Sequence, residues 1–224
     1  MVKKFLFDDK ETIEIGVDEV GRGPMFGRVY TGAVVLPKDS EEFDYSLLKD
    51  SKRFSSSKKL CEAAEYIKEN ALFWSVTYES EKTIDKINIL QATFKSMHNS
   101  VGSIIDKIPE SEQHNIFLTV DGNQFRPYSV MMGDELYTYP HECFKGGDDL
   151  YSSIAAASIL AKVERDKYIL DLCENYPKLK EYYSIDSNKG YGAKVHLDGI
   201  RNYGITKWHR KTFGACREAK MIEF

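Results

Sequence analysis

The stretch T-I-E-I-G-V-D-E-V-G-R-G-P, Thr12 to Pro24, decides how the chain folds. Ile13, Ile15 and Val17 alternate with Glu14, Gly16 and Asp18, the period of a strand with one buried face, so Thr12–Asp18 is a predicted strand. Its apolar pattern stops at two adjacent acids, and glycines from Gly21 to Gly27 then turn the chain into a second β-rich run, Val29 to Leu36. Working outward, Ser55 to Ser57 offer caps for a helix whose inner face is Leu60, Ala64, Ile67 and Ala71. Leu72–Tyr78 reads as a third strand. Leu90, Phe94, Met97, Val101 and Ile104 follow helical spacing and form a second helix ending before Pro109. Ile116–Val120 is a buried strand with Asp121 at its tip, and Leu136–Phe144 is a fifth strand that Pro140 assigns to an edge. Ser152–Asn175 is a long helix, alanine-rich at its start, and Ala193–Asn202 is helical up to a stop at Gly204. Strands alternating with helices imply an α/β or α+β sheet covered by helices.

At 224 residues this fits one large domain, alone or with a small appendage, and 42% hydrophobic residues are enough for a real core. The longest apolar run, Ile154 to Ala161, is far below the roughly 18 residues of a membrane span. Phe5-Leu6-Phe7 is too short for a secretory leader, so the expected location is cytoplasmic. Cys61, Cys143, Cys173 and Cys216 are widely spaced, which gives neither a zinc motif nor a disulfide framework and predicts reduced, mostly buried thiols. A net charge of −4 argues against a nucleic-acid partner, but its distribution argues for one. Ser187 to Lys220 holds eight bases against two acids, with Tyr191, Tyr203, Trp208 and Phe213 interleaved, the make-up of a phosphate-contacting surface.

Carboxylates at strand ends carry the chemistry. Asp18-Glu19 close the first strand, Asp121 closes a second, and Asp148-Asp149 follow Gly146-Gly147 ahead of the alanine-rich helix. Unpaired carboxylates are costly to desolvate, and divalent cations remove that cost. Oxygen ligands without a histidine cluster suit hard ions, and two such ions activate water and stabilise a leaving oxygen in phosphodiester hydrolysis. Asp149 alone reads as a turn or helix cap. The Gly21-Arg22-Gly23 turn lets backbone approach a substrate closely, where its N–H and C=O groups can read a sugar hydroxyl. Arg22 either holds a phosphate or anchors that turn.

With these residues the chain resembles the type 2 ribonucleases H, and bacterial ribonuclease HII in particular. The resemblance rests on G-V-D-E-V-G-R-G-P (Gly16–Pro24), D-S-K (Asp50–Lys52), N-I-L-Q-A-T (Asn88–Thr93) and V-D-G-N (Val120–Asn123). It continues through I-A-A-A-S-I-L-A-K-V-E-R-D (Ile154–Asp166), K-G-Y-G (Lys189–Gly192) and H-R-K-T-F-G (His209–Gly214). It implies a ribonuclease H-like α/β fold: a mixed five-stranded sheet flanked by helices, with a C-terminal helical extension. The implied organisation is a catalytic domain over residues 1–185 and a basic helical region over 186–224 packed on it. The implied catalytic and metal-binding acids are Asp18, Glu19, Asp121 and Asp148, holding Mg²⁺ or Mn²⁺; Asp18 bridges two ions, Glu19 and Asp121 complete one site and Asp148 holds the other. Gly21, Arg22, Gly23 and Tyr191 fall on the family's substrate-binding positions, the tyrosine packing on sugar at the RNA–DNA junction.

The resemblance further implies a monomer, free of membrane, that cuts the RNA strand of RNA–DNA hybrids. It also implies cutting 5′ to single ribonucleotides in DNA, leaving 3′-hydroxyl and 5′-phosphate ends. Two rivals fit less well. Actin-like kinases share the core fold but need two such domains and lack Glu and Gly-Arg-Gly after the first Asp. A non-catalytic nucleic-acid-binding module gains nothing from clustering four acids near phosphates.

Overall fold

The computed structural model describes residues 3–38, 43–48, 51, 54 and 56–223. Strands β1 (Ile13–Val20), β2 (Val29–Val35) and β3 (Phe73–Glu79) form an antiparallel run. β4 (Ile116–Asp121) pairs parallel with β1 on its other side. β5 (Ser129–Met132) and β6 (Glu135–Thr138) make a separate two-stranded ribbon, and β7 (His141–Phe144) adds parallel to β4. The main sheet is therefore mixed and five-stranded, in the order β3-β2-β1-β4-β7. The helices are α1 (Ser57–Asn70), α2 (Glu81–Ile87), α3 (Ile89–Ile105), α4 (Gly147–Leu150), α5 (Ser152–Asn175), α6 (Lys178–Tyr183), α7 (Ile185–Asn188) and α8 (Lys194–Tyr203).

Strand alternation explains the layers. Ile15 and Val17 of β1 pack with Ala33 and Val35 of β2 against Met97, Val101 and Ile104 of α3. On the opposite face Val34 and Leu36 meet Leu60, Ala64 and Ile67 of α1 and Ala155 to Ala157 of α5. Helix α5 lies so close to the sheet that a side chain at Gly16 would run into the Ser153 backbone, and one at Gly32 into the Ala157 carbonyl. Glycine below and alanine above make that approach possible, and it seats α5 over the acidic end of β1. A third core joins Met25 and Phe26, Ile169 and Cys173 of α5, and Tyr183, Ile200 and Ile205 beyond it. The C-terminal helices are thus fastened to the turn after β1.

Helix α5 has the bounds read from sequence, and Ser56 caps α1 by accepting the Lys59 N–H at 3.3 Å. Asp50 and Lys52 of the D-S-K motif, and Ser55, lie outside the described residues. The run Leu136–Phe144 is two strands in two different sheets, not one. Tyr139 is fully buried at the break, and Pro140, with no N–H to give a ladder, accepts the Leu118 N–H through its carbonyl at 2.9 Å. Helix α2 and the short helices α6 and α7 were not anticipated. The thiols are free as expected, but Cys61 is exposed and Cys143 half-buried, leaving Cys173 and Cys216 as the buried pair. No helix among the described residues is long and apolar enough to cross a membrane.

Candidate active site

Unequal strand lengths build the acidic centre. Pairing of β1 with β4 ends at Val17 opposite Val120, whereas β1 stays paired to β2 as far as Val20. Asp18 and Glu19 therefore run past the end of β4 beside Asp121, and carboxylate oxygens of all three lie within 4.8 Å of one another. Asp18 is buried, and its Oδ1 accepts the Glu19 N–H at 2.6 Å. Burial pushes its carboxyl well above the usual range, the charges of Glu19 and Asp121 push it further, and a hydrogen bond from Ser158 of α5 offsets part of this. Burial also raises Glu19, against the Arg22 guanidinium at 3.0 Å. Asp121 Oδ1 accepts the N–H of Gly147 at 2.7 Å, which ties the end of β4 to the first residue of α4. Asp148 follows directly in α4 and is buried; Asp149 is half-buried in the same turn, whose cap position is Gly146. Burial thus separates the two aspartates, although the close cluster itself consists of Asp18, Glu19 and Asp121.

These acids share one cleft, of about 430 Å³, with Gly21, Arg22, Gly23 and Tyr191. Gly21 needs its glycine, because φ is 96° and a side chain there would strike the Arg165 guanidinium. Gly23 faces Tyr191, whose Cε1 lies 3.5 Å from where a Cβ would stand. Seven of the eight expected site residues therefore line a single cleft, with Asp148 beside it on α4.

The ribonuclease HII family matches this chain over residues 15–216. The chain belongs to the ribonuclease HII family. Among curated relatives, ribonuclease HII of Parabacteroides distasonis is 42% identical over 95% of both chains, and that of Bacteroides thetaiotaomicron is 41% identical over the same shares. The solved ribonuclease H2 of Pyrococcus horikoshii superposes with a TM-score of 0.68, covering 92% of this chain and 95% of its own, at 23% identity, a likeness of fold. As a ribonuclease HII family member, this chain is a metal-dependent ribonuclease, a hydrolase.

Further residues, outside the expected site residues, line this ribonuclease HII cleft or brace it from behind. Arg210, fully buried, donates to the carbonyls of Gly27 at 2.8 Å, Arg22 at 2.9 Å and Gly21 at 2.6 Å. It is a structural clamp on the Gly-Arg-Gly turn, so the count of basic residues overstated the phosphate-facing charge; burial lowers its pKa to about 9. Arg165, also buried, donates to the carbonyls of Arg28, Phe26 and Lys189 at 3.3, 3.2 and 2.9 Å. Both arginines sit in motifs quoted above, but a one-dimensional reading cannot tell an arginine that grips carbonyls from one that faces phosphate. Ser51, the described residue of D-S-K, lies 3.1 Å from Ser158 through their hydroxyls and continues the support of Asp18. Lys162 lines the cleft with its ammonium on Asp166 at 2.7 Å.

The acids fit a divalent cation. Three carboxylates converge, one of them buried, and among the described ion pairs only Arg22 answers this cluster. An all-oxygen set with this excess of negative charge suits a hard cation.

Proposed function

We propose that this chain is an endonuclease that hydrolyses the RNA strand of RNA–DNA hybrids and cuts on the 5′ side of single ribonucleotides embedded in duplex DNA. One observation carries the reading: the carboxylate cluster opens into the same cleft as the Gly21–Gly23 turn and Tyr191. Asp18, Glu19 and Asp121 would hold the divalent ions, with Asp148 completing the set, and Mg²⁺ or Mn²⁺ are the ions of matching hardness. Bound there, such ions supply Lewis-acid stabilisation of the phosphodiester and an activated water.

The chain's own residues orient the substrate. The backbone of Gly21 to Gly23 meets the ribose 2′-hydroxyl, the only group that marks RNA in a mixed strand. Tyr191 packs on the neighbouring sugar, and Arg22 and Lys162 face the phosphates. Ser158 and the Glu19 N–H keep Asp18 aimed at the centre. The C-terminal region from residue 186 serves as the second wall of the cleft.

The test is cleavage of a labelled DNA duplex with one ribonucleotide, with and without Mg²⁺ or Mn²⁺. The expected product is a metal-dependent cut 5′ to the ribonucleotide with 3′-hydroxyl and 5′-phosphate ends. Equal cleavage of an all-DNA duplex would remove the sugar-reading role of the turn, and binding without cleavage in either metal would leave only a binding module.

A further inference from the structure

Two histidines outside the acidic centre, His196 of α8 and His209, lie buried with their Nε2 atoms 3.1 Å apart. The hydrogen bonds around them admit one arrangement. His209 Nδ1 lies 3.0 Å from the backbone N–H of Thr206 and 2.9 Å from its hydroxyl; the hydroxyl can turn but the N–H cannot, so that nitrogen carries no proton and His209 is protonated on Nε2. Its Nε2–H then donates to His196 Nε2, which leaves His196 protonated on Nδ1. That Nδ1–H donates to the carbonyl of Tyr191 at 2.9 Å, alongside the Ala193 N–H at 2.8 Å.

Neither ring can accept a further proton without setting one N–H against another. The rings of Phe26 and Tyr183 lie 4.9 and 5.0 Å from His209, and both are uncharged. Burial, and then His196, lower the His209 pKa to about 3, and burial lowers His196 as well.

The next residue along the chain is Arg210, the clamp on the carbonyls of Gly21, Arg22 and Gly27. Both walls of the cleft are thus referred to one dipeptide: His209, through His196, to Tyr191, and Arg210 to the glycine turn. The main-chain bond from Met25 N–H to the Gly190 carbonyl, at 2.9 Å, joins the same two walls. We propose that His196 and His209 are positioning residues, a neutral chain of fixed tautomers that holds the Tyr191 main chain and so places its ring beside the Gly21–Gly23 turn, where the ribose is read. This rests on the reading of Tyr191 as the residue that packs on sugar.

A double-mutant cycle tests it on the full chain, with single-ribonucleotide duplex as substrate. His196→Phe keeps a ring of similar size without its hydrogen bonds, and is expected to lower kcat/KM by about 10- to 100-fold, the scale of an ångström-sized misplacement. His196→Asn, whose amide donor stands where Nδ1 does, is expected to recover most of that loss. In the Tyr191→Ala background, His196→Phe is expected to cause no further loss. A full additional loss in that background, or no recovery with His196→Asn, overturns the proposal. If Tyr191→Ala alone cleaves like the wild type, the sugar-packing reading fails and takes the relay with it. If Tyr191→Ala is slow and His196→Phe is not, the relay alone fails. Independently of any variant's folding, ¹⁵N spectra of the wild type should show His209 protonated on Nε2 and His196 on Nδ1 at neutral pH; any other pair of tautomers overturns the chain.

Discussion

Asp18 shows how a single residue is spent on function at the expense of stability. Its carboxyl is buried beside two like charges, so the metal-free protein carries an electrostatic strain that a cation relieves. Asp18→Asn is expected to raise metal-free stability by roughly 0.5–2 kcal/mol, and the gain in Tm expected for the wild type on adding Mg²⁺ should be absent from the variant, both read by thermal unfolding. Asp121→Asn preserves the shape of β4 and the oxygen that accepts from Gly147, yet removes a charge from the cluster. Cleavage in Mg²⁺ is expected to fall by a factor on the order of 10² to 10³ or more with circular dichroism unchanged; full retained activity would remove Asp121 from the centre. Tyr191 separates packing from chemistry: a phenyl ring keeps the stacking surface, so Tyr191→Phe should retain much of the activity that Tyr191→Ala loses.

At the scale of elements, two glycines in one turn answer to different constraints. Gly21 has positive φ and abuts Arg165, so Gly21→Ala is expected to destabilise the fold by about 1–3 kcal/mol in urea titrations. Gly23 has no positive φ, and an added methyl would make ordinary contact with Tyr191 at 3.5 Å. Gly23→Ala should therefore fold with near wild-type stability and lose cleavage, because the methyl stands between the backbone of the turn and the sugar it reads. Stability unchanged in both variants would show that the turn is not held as tightly as the Arg210 and Arg165 bonds imply. The same logic extends to α5, whose alanines allow a contact between helix and sheet that Gly16 and Gly32 complete from below.

Across the whole molecule, the C-terminal region is fastened to the turn after β1 by buried polar groups, and its stability is coupled to pH. The folded-state pKa of His209, about 3, lies below the 6.5 of an exposed imidazole, so the unfolded chain binds more protons between those values. Its contribution to stability is complete above pH 6.5 and is lost as pH falls toward 3. Between pH 7.5 and 5 the loss from this group is on the order of 1–2 kcal/mol, measured from urea midpoints. His209→Asn, whose Oδ1 can still accept from Thr206, is expected to flatten that part of the profile. A variant with the same pH dependence as the wild type would place the sensitivity elsewhere.

Much of this was legible in the residues themselves. Period-two alternation in Thr12–Asp18 marked the central strand, and abrupt ends of apolar runs at Asp18 and Asp121 marked where the acids emerge, because a charge inside a buried strand is costly unless it is paired. The alanine run of α5 announced a close approach, and the motifs pointed to Tyr191. Local pattern failed where the signal is not local. Leu136–Phe144 has the composition of one strand, yet Pro140 and the buried Tyr139 divide it between two sheets. Arg210 and Arg165 look like surface charge until the fold wraps the C-terminal segment back onto the turn after β1. Composition and periodicity depend on neighbours along the chain, so they determined the elements and the kinds of group available. Which carboxylates meet, which arginines are buried on carbonyls and how two histidines share a proton depend on residues from distant parts of the chain. Only the tertiary structure brought those together.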